Sequence, residues 1–103
     1  MEKIVNTKFY EYDQNNSGGS FHNSEKEGIA EYVIIEALNA AHANARAEEI
    51  GLYFNGCDAG KDCSCCGDRW YRVYENYGSE TIEESLYRTN CFVHYLDGSF
   101  SKL

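Results

Sequence analysis

Val33, Ile34 and Ile35 stand in a row inside EYVIIEAL, Glu31 to Leu38, and this run constrains the fold more than any other. Successive side chains of a strand point to opposite faces, so three apolar neighbours cannot share one face. Both faces are expected to be covered, which makes the segment a central strand. The pattern then changes to NAAHANARAEEIG. Asn39 is a good N-cap and Gly51 a good C-terminal stop. Ala40, Ala43, Ala47 and Ile50 recur at helical spacing and form a small-residue face that lets a helix lie close to a sheet. His42, Arg46 and Glu49 fall on the other side and read as solvated.

Elements of lower contrast surround this unit. Lys3 to Asp13 reads as a strand through Phe9, Tyr10 and Tyr12. QNNSGGS, Gln14 to Ser20, is a turn-forming break, and strand character resumes at Phe21. Leu52 to Phe54 suggests a short strand. RWYRVYE, Arg69 to Glu75, alternates, with Trp70, Arg72 and Tyr74 on one face and Tyr71 and Val73 on the other. Thr81-x-x-Glu84 has capping-box form, so ETIEESLYR reads as a short helix. Cys91 to Leu96, an Asp97-Gly98 turn and Ser99 onward form a hairpin pattern. The expected fold is a single α+β domain of 103 residues, with a small antiparallel or mixed sheet, one main helix and a cysteine-rich knuckle-like turn.

A net charge of −8 argues against a DNA or RNA polymer, which needs a basic stripe to neutralise phosphates. A small nucleotide needs only a few local donors. Lys61, Arg69 and Arg72 lie together in the sequence, beside Asp58, Asp62 and Asp68, which neutralise them in the plainer reading. A chain this short buries only about 65% of its unfolded surface. Self-association would add burial, and nine tyrosines suit an interface or a polar pocket. No segment approaches the roughly 18 apolar residues of a membrane span, and the N-terminus lacks a signal-peptide core. A cytoplasmic location with reduced thiols is expected.

KDCSCCGDRWYR is the densest stretch. Cys63-x-x-Cys66-Gly67 matches half of a zinc knuckle, and Cys91-x-x-His94 is the candidate second half. Residues i and i+3 of a strand face opposite sides, which weakens a Cys63, Cys66, Cys91, His94 set. No zinc is the favoured reading; the thiols then act as small buried hydrophobes. No nucleophile elbow, phosphate-binding loop or metalloprotease signature is present, so no enzyme activity is expected.

Two segments carry a resemblance. FYEYDQNNSGGSF and GLYFNGCDAGKDCSCCGDRWY resemble a widespread family of small bacteriophage proteins with a QNNSGGSF-like loop, an AEEIGIYF-like strand–helix end and a DCxCCGDRW motif. The matches run over Gln14–Phe21, Glu48–Phe54 and Asp62–Trp70. Lys61 stands where the family pattern has arginine, Cys57 falls where that pattern is variable, and the C-terminal third is similar only through VHYLDG. The family in turn looks like the phage sponge proteins that evade cyclic-nucleotide (anti-CBASS) immunity. That resemblance implies a non-enzymatic homo-oligomer, a dimer or tetramer, that sequesters a cyclic di- or trinucleotide.

On that reading the candidate ligand residues are Tyr12, Asn15, Asn16, Ser17, Ser20, Phe21, Asp68, Arg69 and Tyr71. Aromatics would stack bases, the loop amides and hydroxyls would read edges or phosphate, and Arg69 would bond a phosphate or guanine bidentately. Arg69 and Tyr71 are expected on the pocket side, with Trp70 turned into the core. The alternative is a small zinc-ribbon-like adaptor that binds a host protein.

Overall fold

The computed structural model describes residues 7–15, 21–62, 66–80 and 90–102. The run Val33-Ile34-Ile35 lies in β2 (Tyr32–Ala37), at the middle of a four-stranded mixed sheet. β1 (Lys8–Asp13) pairs antiparallel on one side, with Tyr10 opposite Ile35 and Tyr12 opposite Val33. β3 (Cys91–His94) pairs parallel on the other, and β4 (Phe100–Lys102) closes the order antiparallel to β3. Both faces of β2 are covered, as its apolar run requires. Val33, Ile35 and Ala37 join the main core with Tyr10, Tyr12 and Trp70. Ile34 joins a second cluster with Cys91 and Val93.

Helix α1 (Ala40–Ile50) has the ends expected of it. The Asn39 side chain accepts the His42 N–H, and Gly51 leaves the helix at φ 130°, a backbone shape that side chains disfavour. Ala40, Ala43 and Ala47 are buried against the sheet. Their small size permits that close approach, and Asn44 sits on the same side of the helix, where it becomes important below. His42 is not simply solvated: its Nδ1 accepts the Leu38 N–H at 3.1 Å.

Two expected strands are not strands. Leu52–Phe54 is irregular. Arg69–Tyr74 is extended but unladdered, and a 3₁₀ turn, Glu75–Tyr77, follows it. Its burial also departs from strict alternation. Trp70 and Val73 are buried, whereas Tyr71, Arg72 and Tyr74 are exposed. A three-residue interval between inward side chains suits a strap, not a period-two strand. No strand resumes at Phe21. The helix expected in ETIEESLYR, Glu80 to Arg88, lies outside the described residues from Thr81 onward, as does Cys63 of the knuckle.

Candidate functional site: an aromatic and arginine shelf

The strap at 66–80 is held to the body at several points by side chains. The Asn15 N–H donates to the Arg69 carbonyl at 2.9 Å, and the Asn15 amide donates to the carbonyls of Cys66 and Asp68 at 2.7 and 3.1 Å. Gly67 turns there at φ 89°, with Asn15 and the Tyr71 hydroxyl close above it, so that a Cβ would meet the hydroxyl at 3.0 Å. Midway, Asn44 of α1 takes both backbone groups of Val73: its Oδ1 accepts the N–H at 3.0 Å and its Nδ2 donates to the carbonyl at 3.1 Å. Glu75 accepts the Ala40 N–H at 2.6 Å, placing a carboxylate at the positive end of α1. At the far end Phe9 and Ser79 exchange backbone bonds of 2.7 and 2.9 Å.

This anchoring turns Tyr71, Arg72, Tyr74 and Tyr77 outward. The three tyrosines are 57, 64 and 55% exposed. Tyr74 and Tyr77 meet edge to face at 5.9 Å between ring centroids, and the Arg72 guanidinium lies 4.9 Å from the centroid of the Phe54 ring. Two clefts share Tyr71, Arg72 and Tyr77 as a common wall. One, of about 440 Å³, is bounded on its far side by Glu11 and Asp13 of β1. The other, of about 320 Å³, is bounded by Phe54, Asn55 and Asp68. The shelf therefore presents flat aromatic faces, a cation already placed over a ring, and carboxylate acceptors at its rims.

The family model described as a domain of unknown function, DUF7296, matches residues 7–103. The chain belongs to this family. The matched span takes in the loop after β1, the strap and the C-terminal hairpin together. No curated protein and no solved structure matches the chain.

The residues singled out from the sequence separate into two groups. Tyr71 and Asp68 line the clefts. Tyr12 reaches one of them but is only 2% exposed, and its hydroxyl donates to Asn44 Oδ1 at 2.8 Å. Burial, reinforced by Tyr10, pushes that hydroxyl well above the usual tyrosine range, so it stays a donor. Asn15 is occupied in tying down the strap. Phe21 is exposed and lines neither cleft. Asn16, Ser17 and Ser20 lie outside the described residues.

Arg69 is placed differently from the expectation. Its side chain, 13% exposed, runs inward to Asp62, whose side chain is fully buried, with Nε 3.8 Å from Oδ1. Its Nη1 donates to Gln14 Oε1 at 2.8 Å. Gln14 in turn accepts the His22 N–H and donates to the carbonyls of His22 and Ala30. Asp62 also accepts the Tyr53 hydroxyl and the Arg69 N–H, both at 2.8 Å. Thus the aspartate that holds Arg69 is Asp62, while Asp68 accepts the Cys57 N–H at 2.9 Å. Burial and the adjacent Asp68 push the Cys57 thiol up to about 11. Arg69 lines neither cleft. Arg72, not Arg69, shares the cleft wall with Tyr71. The sequence points to Tyr71 for the site, but strict alternation places Arg72 and Tyr74 on the face opposite it, whereas all three are exposed.

Among the described residues no group of three or more His, Cys, Asp or Glu is arranged to hold a metal ion. Cys66 is exposed, and Cys91 is buried against Ile34 and Val93. His94 Nε2–H donates to the Gly28 carbonyl at 2.7 Å. No helix among the described residues is long and apolar enough to cross a membrane.

Proposed function

We propose that the protein binds a cyclic di- or trinucleotide on the Tyr71–Arg72–Tyr77 shelf and withholds it without cleaving it, as a phage protein acting against cyclic-nucleotide immunity. The observation that carries this reading is Arg72, set over the Phe54 ring where two adjoining clefts meet. A cyclic oligonucleotide brings flat bases and closely spaced phosphates. Exposed aromatic faces stack bases at about 1–3 kcal/mol each, and a pre-positioned guanidinium meets a phosphate at reduced entropic cost. Carboxylates at the rim accept from base N–H groups and repel polymeric backbones, in keeping with the net charge of −8. In this scheme Arg69 is a structural tie and Arg72 the phosphate partner. A twofold ligand also fits a pocket shared between identical subunits.

The test is a thermal-shift panel of cyclic di- and trinucleotides on the intact protein, followed by denaturation and chromatography of what is released. At least one member should raise Tm and return intact. A panel without any shift, or release of linear or mononucleotide products, overturns the reading.

A further inference from the structure

β1 is an edge strand whose outer side is tied to the strap at its two ends. In an antiparallel strand, backbone groups of alternate residues point to the same side. Phe9 and Asn15 direct theirs outward, to Ser79 and Arg69 of the strap, while the Gln14 N–H points the other way, to the Glu31 carbonyl. By that alternation the N–H and C=O of Glu11 and Asp13 point outward too. They face the larger cleft, whose opposite wall carries Tyr71, Arg72 and Tyr77. Among the described residues no backbone group bonds those of Asp13.

The strap is long enough to have closed this edge as a further strand. Asn44 prevents it. By taking both the N–H and the C=O of Val73, it turns the middle of the strap toward α1 and away from β1. The Tyr12 hydroxyl fixes the Asn44 amide from below. The slot is therefore built by a specific set of bonds, and a sheet edge with exposed tyrosines opposite it is the outcome.

We propose that this edge, at Asp13, reads the Watson–Crick edge of a purine stacked on Tyr71 or Tyr77. The inference rests on the nucleotide reading above and specifies which part of the ligand enters the larger cleft. One strand residue offers a donor and an acceptor side by side. Adenine offers N1 beside N6–H, and guanine O6 beside N1–H, so either purine completes both bonds. An added peptide strand does not fit, because the ties at Phe9–Ser79 and Asn15–Arg69 block both ends of the slot. A flat group entering from the side meets no such block.

Cyclic di-AMP, cyclic di-GMP and their N1-methylated forms distinguish the outcomes, with calorimetry for affinity and ¹⁵N NMR hydrogen exchange for the Asp13 amide. The unmodified ligand should bind, N1-methylation should weaken binding at least tenfold, and exchange at Asp13 should slow at least tenfold in the complex. Binding that tolerates N1-methylation, or that leaves Asp13 exchange unchanged, overturns the edge-reading inference while the nucleotide reading stands. Failure of both unmodified ligands to bind overturns the inference, and failure across the wider panel above overturns the nucleotide reading as well.

Discussion

Arg69 and Arg72 are three residues apart and face opposite chemistry. Arg69 points inward to a carboxylate with no exposed surface, and Arg72 lies outside on an aromatic ring. Their alanine variants should therefore separate stability from binding. Arg69→Ala leaves Asp62 buried with one fewer partner, which should cost roughly 1–3 kcal/mol in a urea melt. Arg72→Ala should stay within about 0.5 kcal/mol of the parent, as exposed substitutions usually do, and should bind the cyclic nucleotide at least tenfold more weakly by calorimetry. Asn44 carries more than its exposure suggests. Asn44→Leu leaves the Tyr12 hydroxyl and both backbone groups of Val73 without their partner, so a loss of about 2–3 kcal/mol is expected by the same melt.

At the level of elements, β3 is tied to the turn at Ser24–Ile29 through His94. The buried ring donates to the Gly28 carbonyl and stacks 4.9 Å from Phe100. Burial lowers the affinity of His94 for a proton and outweighs the Gly28 bond, which acts the other way; Arg46 adds to the lowering. The folded state then binds a proton less readily than the unfolded chain, whose histidine titrates near pH ~6.5. The stability from this site is complete above that pH and is lost as pH falls below it. Thermal melts between pH 7 and 5 should show a falling Tm, and His94→Gln should flatten the slope in that window.

The elements legible in the sequence are those whose bonds are local or periodic. β2 followed from consecutive β-branched residues, α1 from its alanine spacing with Asn39 and Gly51 at its ends, and the hairpin from Asp97-Gly98. The strap was not legible because its partners are distant side chains. Asn44 lies 29 residues from Val73, and Asn15 lies 53 from Asp68. Nothing in RWYRVYE announces that an asparagine on the helix will replace a neighbouring strand. The candidate site inherited that error: its composition was visible, and the direction of each side chain was not.

In the whole molecule a small mixed sheet carries an exposed aromatic shelf, within a family match that spans residues 7–103. Among the described residues seven large apolar side chains are exposed, and three of them, Tyr71, Tyr74 and Tyr77, gather on the shelf, a cluster of the kind that marks a binding or association surface. A symmetric dimer or tetramer should form at micromolar concentration. Light scattering that gives a monomer mass both with and without nucleotide would oppose a shared pocket. The most direct test of nucleotide binding on the shelf is calorimetric titration of the best-binding cyclic nucleotide into the parent protein and into Arg72→Ala and Tyr71→Ala, each verified as folded by its melt. Saturable binding to the parent is expected, with at least a tenfold loss in both folded variants. Equal affinity in all three proteins would contradict it.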